Sequence, residues 1–121
     1  VVAEDTRNRN ALAYCEYKSS GGGQYIAILK STLMEYQLLY KAHGQNTFLF
    51  MVLVHEFGHC FYGRSHSDQV VQNNNGEFVP TTAMVTKSPN QLGMKVLPIG
   101  TKLFYLSEIS GQNTAQNLPV F

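Results

Sequence analysis

Residues 47–68 read TFLFMVLVHEFGHCFYGRSHSD, and this stretch limits what the chain can fold into more than any other. Phe48, Leu49, Phe50, Met51, Val52, Leu53 and Val54 lead without a break into His55-Glu56-Phe57-Gly58-His59. A helix apolar on every face belongs in the middle of a domain rather than on its surface. Histidines and a glutamate in such a helix need partners, because isolated buried charge is costly. At about 100° per residue, positions 55 and 59 lie about 40° apart, so both imidazoles leave one face and can hold one metal ion. Glu56 stands beside them, where a carboxylate can act as the base of metal-assisted hydrolysis.

Gly63 is the expected end of this helix, since glycine adopts the left-handed conformation most cheaply. With the chain turned there, His66 can return beneath the helix as a third nitrogen ligand, leaving a fourth tetrahedral position open, the arrangement of catalytic zinc. Asp68 is the nearest substitute for His66, and Glu77 a more distant one. Asn75-Gly76 stands between two short apolar pieces, however, which is a strong hairpin signal and makes Asn73 to Gly76 an exposed turn and Glu77 a solvated residue.

Ahead of the helix, residues 11–17 (ALAYCEY) and 25–29 (YIAIL) read as the two strands of a hairpin around the flexible turn 18–23. Residues 4–10 are polar and read as coil or a frayed helix end. Within 32–42 the pattern favours a short helix at 35–41, broken by His43-Gly44-Gln45-Asn46, with His43 on a surface loop. Asn46 or Thr47 is expected to cap the main helix with a side-chain oxygen. Residues 91–103 read as loop or short strand, and Ser107 as the cap of a brief terminal helix.

At 121 residues the chain (1–121) fits one domain with a single core. A net charge of +1 with scattered Lys and Arg gives no stripe suited to nucleic acid. The longest apolar run is far below the ~18 residues needed to span a bilayer. Val1-Val2-Ala3-Glu4-Asp5 has neither a basic nor a long apolar segment, so no signal peptide is expected within the chain. Cys15 and Cys60 can form one disulfide, implying an oxidising compartment, or remain two buried thiols.

The stretch from Asn46 to Asp68 resembles the active helix and third-ligand turn of the metzincin zinc endopeptidases, most closely their matrix-metalloproteinase-type branch, whose motif is His-Glu-x-x-His-x-x-Gly-x-x-His. Thr81-Thr82-Ala83-Met84-Val85-Thr86 is similar to the family's Met-turn, which sets a methionine beneath the metal. The resemblance implies that His55, His59 and His66 are Zn2+ ligands, Glu56 the general base and Met84 the Met-turn residue. It further implies that Val85 to Pro89 form one wall of the substrate pocket, and that the protein is secreted or extracytoplasmic. One residue departs from the pattern: Tyr62 stands where the family has glycine, and Gly63 follows, so either the helix is longer by one residue or its end bulges.

These readings combine into a small α+β domain, a mixed sheet packed on a central active-site helix, metzincin-like and either minimal or truncated. Its expected function is zinc endopeptidase acting as a monomer on a peptide or protein substrate. The substrate is expected to lie extended along an edge strand at 25–29. The rival reading is a non-catalytic metzincin-like zinc domain that binds a protein partner, its fourth position closed by Asp68 or Cys60.

Overall fold

The computed structural model describes residues 1–4, 11–17, 24–68, 70–72, 78–86 and 99–111. Strands β1 (Val2–Ala3), β2 (Ala13–Tyr17) and β3 (Gln24–Leu29) are followed by helices α1 (Lys30–His43) and α2 (Thr47–Tyr62). The hairpin strands β4 (Val70–Gln72) and β5 (Phe78–Pro80) come next, and helix α3 (Ile99–Ile109) completes the order. The result is a small α+β fold with a three-stranded mixed sheet and three helices.

The expected first hairpin forms: β2 runs antiparallel to β3 from Ala13↔Ile28 to Tyr17↔Gln24. Its outer geometry differs from expectation, because β1 pairs parallel with the other side of β3. The Ile28 N–H donates to the Val1 carbonyl at 2.7 Å. The sheet order is therefore β1-β3-β2, and residues 25–29 form its centre rather than an edge. A two-residue strand leaves no periodicity to read, so nothing in residues 1–4 signals it.

Helix α1 starts immediately after β3 and is twice the length of the helix expected at 35–41. Its first turn is anchored by a tertiary bond invisible in local propensity: buried Thr32 donates through Oγ1 to the Leu12 carbonyl at 2.6 Å. Gly44 ends it at φ 65°, its N–H closing on the Tyr40 carbonyl, and His43 is the exposed last helical residue.

Helix α2 is central because both flanks are packed. Toward the sheet, Phe48 and Val52 meet Ala13, with Leu12, Ile28, Tyr36 and Leu39 at the margin. On the other flank, Met51 and Val54 join Ala83, Met84, Phe104, Tyr105 and Ile109. Burial on two sides accounts for the lack of a polar face in its first half. The disulfide Cys15–Cys60, with Cα atoms 5.3 Å apart, fastens β2 to the far end of this helix and resolves the pairing left open above.

The expected side-chain cap on α2 is absent among the described residues. Asn46 has φ −101° and ψ 14°, not the extended backbone that aims an N-cap oxygen at the first turn. Its Oδ1 instead accepts from Lys102 Nζ at 2.7 Å, and the same ammonium lies over the Phe50 ring. Thr47 Oγ1 is buried with no hydrogen-bond partner among the described residues.

Helix α3 replaces the loop or strand read at 99–103, and Ser107 lies in its last turn rather than at its start. Thr101, Phe104, Tyr105 and Glu108 are its buried face, at helical spacing. Gly111, at φ 84°, closes it through an N–H bond to the Glu108 carbonyl. The second hairpin pairs Val70↔Pro80 through Gln72↔Phe78 as expected. Its turn at 73–76 and Glu77 lie outside the described residues, as do residues 5–10, the turn 18–23, Pro89 and residues 91–98.

Candidate metal centre

The spacing of α2 sets His55 and His59 one turn apart, and its unusual ending delivers His66. Gly63, at φ 62°, and Arg64 both turn their N–H groups back to the Gly58 carbonyl, the Arg64 bond measuring 2.8 Å. These bonds span five and six residues instead of the helical four, so the last turn is wide. That widening absorbs the extra residue between His59 and the glycine, and His66 returns to the helix face.

The three Nε2 atoms form a nearly equilateral triangle. His55 to His66 is 3.1 Å, His59 to His55 is 3.0 Å and His59 to His66 is 3.0 Å. Behind them, His55 Nδ1 meets the Ala83 carbonyl at 2.8 Å and His59 Nδ1 meets the Arg64 carbonyl at 2.7 Å. A carbonyl only accepts, so each of these Nδ1 atoms carries the proton and each Nε2 presents a lone pair. The contact between His55 and His59 is thus lone pair against lone pair, an arrangement a cation would stabilise.

The dimensions suit a small divalent ion. Tetrahedral coordination at 2.0–2.1 Å places ligand nitrogens roughly 3.3 Å apart, close to the observed triangle. Among the described residues, His55, His59 and His66 are the one group of potential ligands gathered this tightly, compatible with zinc. Burial also prepares the ligand form: it lowers the His55 pKa to about 4, outweighing its bond to Ala83, with His59 and His66 adding repulsion. His59 is lowered too, again chiefly by burial. Both imidazoles are therefore neutral at pH 7, as metal ligation requires.

Glu56 is buried between these histidines in sequence, and burial raises its carboxyl to about 7. Such a group exchanges a proton readily at neutral pH, the property wanted in a general base.

Asp68 is engaged elsewhere. Its Oδ1 accepts from both the N–H and the Oγ1 of Thr86, each at 2.8 Å, while the Ser67 N–H donates to the Met84 carbonyl at 2.9 Å. These bonds zip the His66 segment to residues 84–86. The turn at 81–84 is itself buried, with Met84 N–H donating to Thr82 Oγ1 at 3.1 Å. Met84 lies under α2 against Gly58, where a Cβ would collide with its sulfur. Val85 is buried beside it.

Three contributors escaped the sequence reading: the Ala83 carbonyl, Arg64 and Glu108. The Glu108 carboxylate accepts from the Ala83 N–H at 3.1 Å and from Arg64 Nη2 at 3.0 Å. A signal existed, because Glu108 continues the spacing of Thr101, Phe104 and Tyr105 and so falls on an apolar face. No protein-family model, curated protein or solved structure matches the chain.

Proposed function

We propose that the chain is a zinc-dependent endopeptidase with a metzincin-type centre, in which His55, His59 and His66 hold the ion and Glu56 is the general base. The observation that carries this reading is the convergence of three imidazole nitrogens, two with their tautomers fixed by backbone carbonyls, on a helix that carries a buried carboxylate, next in sequence to His55, poised near neutrality. When bound, zinc supplies Lewis acidity that polarises a peptide carbonyl and acidifies water. Glu56 takes the proton of the attacking water and delivers it to the leaving amine, a task suited to a pKa of about 7.

Met84 beneath the helix and the bonds that join residues 67–68 to residues 84–86 support the Met-turn assignment, in which Val85 would begin the substrate wall. Strand addition remains the natural way to hold an extended peptide. With β3 in the centre, β1 and β2 are the two edges of the sheet among the described residues, and β2 is the longer of them. Cys15 ties this strand to Cys60, next to His59, so a peptide lying along β2 passes the metal end of α2. The bridge also favours an oxidising, extracytoplasmic setting. No helix among the described residues is long and apolar enough to cross a membrane.

The test is digestion of a diverse peptide mixture by the zinc-loaded chain, with and without chelator, with Glu56→Ala in parallel and cuts mapped by mass spectrometry. Chelator-sensitive cuts missing from the variant are expected. A folded, zinc-loaded chain that cuts nothing would refute the peptidase and favour a non-catalytic zinc domain.

A further inference from the structure

We propose that Glu108 is the positioning residue of the metal centre, one carboxylate on α3 that holds both backbone carbonyls fixing the tautomers of His55 and His59. The inference rests on reading the three histidines as a metal site and deepens it. Two chains of contact meet at Glu108. Through Oε1 it accepts the Ala83 N–H, and the Ala83 carbonyl accepts His55 Nδ1–H. Through Oε2 it accepts from Arg64, and the Arg64 carbonyl accepts His59 Nδ1–H.

The arrangement joins parts of the chain that have no local reason to be near each other. Glu108 lies 25 residues from Ala83 and 44 from Arg64. Its side chain is 5% exposed, whereas that of Arg64 is 41% exposed, so the carboxylate is the buried end of the pair. A buried carboxylate needs charge-assisted partners, and both of its partners here are the residues that orient metal ligands. Ligating imidazoles depend on the group behind the far nitrogen for orientation and basicity, and loss of such groups typically lowers metal affinity by about 10–100-fold. At Glu108 a single substitution reaches two ligands together.

A simple staple between α3 and the core predicts something different. Removing a staple lowers stability without altering the imidazoles of a chain that still folds. The test is therefore made on Glu108→Gln and Arg64→Ala, each confirmed folded by circular dichroism. Histidine tautomers are read by 15N NMR in the metal-free chain at pH 8, and zinc affinity by competition with a chromophoric chelator. In Glu108→Gln the Nδ1–H population of His55 and His59 is expected to fall, and zinc affinity to drop about 10–100-fold. Arg64→Ala, which cuts one arm at a more exposed residue, is expected to shift His59 and spare His55, and it decides the matter if Glu108→Gln does not fold. A folded Glu108→Gln with parental tautomers and parental zinc affinity would overturn the proposal. If the parent chain binds no zinc, the metal reading fails, while the tautomers of the metal-free variants still decide the role of Glu108.

Discussion

Replacing Glu56 by glutamine separates the cost of the site from its use. Burial raises the carboxyl from its ordinary 4.5 to about 7, so folding disfavours the charged form. A folded pKa above the unfolded one means that this group's contribution to stability is complete below pH 4.5 and is lost as pH rises through 7. At 1.36 kcal/mol per unit, the shift corresponds to about 3 kcal/mol by pH 8. The neighbouring histidines remain partly open to solvent, and screening reduces the usable part to about 1–2 kcal/mol. Glutamine keeps the volume and discards the charge. Chelator-treated Glu56→Gln should therefore be more stable than the parent by about that amount at pH 8, with the difference gone near pH 4.5. Urea unfolding at pH 8, 6 and 4.5 measures it, and the zinc-loaded variant should lose turnover by about 10²–10⁴-fold or more. A variant equally or less stable than the parent at pH 8, or a difference that does not depend on pH, would refute the claim that burial of this carboxylate is what costs stability.

His66→Ala should weaken zinc binding severely in chelator competition, whereas Asp68→Ala should leave affinity near parental and mainly loosen residues 84–86; the reverse ranking would reassign the third ligand. Gly58→Ala gains about 1 kcal/mol of helix propensity but forces Met84 aside, and overpacking of about 1–3 kcal/mol should leave a net loss in thermal unfolding. Removing the Cys15–Cys60 bridge, which links residues 45 apart, should lower stability by about 4 kcal/mol on loop entropy alone, read as a lower urea midpoint under reducing conditions. In Glu56→Gln, with the opposing carboxyl gone, stability of the metal-free chain should fall as pH drops from 6.5 toward 4, because His55 and His59 are held neutral by burial. Stability flat across that window would contradict their burial as free bases.

Much of the centre was legible because it is written in one helix. The spacing of His55 and His59, the adjacent Glu56, the stop at Gly63 and the return of His66 all follow from local periodicity and a glycine's freedom at positive φ. The supporting contacts were not legible for a common reason: each is long-range. Thr32 to Leu12, Lys102 to Asn46 and Glu108 to Ala83 join residues whose own neighbourhoods give no hint of the partner. That is why α1 begins earlier than its pattern suggests and why α2 starts without the expected cap. The position of β3 failed similarly, since β1 is too short to carry a pattern yet long enough to occupy an edge. For α3, Gly100 masked a face that Thr101, Phe104, Tyr105 and Glu108 spell out.

The three imidazoles that meet in space also lie within a short span of chain, His55 and His66 being 11 residues apart. An unfolded chain can therefore chelate with the same side chains, which a site assembled from distant segments cannot do. Stabilisation by a ligand depends on its preference for the folded over the unfolded chain. At saturating zinc the gain in stability becomes the ratio of the two affinities, and a hundredfold preference yields only about 2.7 kcal/mol however tight the folded site. Zinc should thus be captured early during folding and guide the chain, while the bridge and the core of α2 and α3 carry most of the resistance to unfolding.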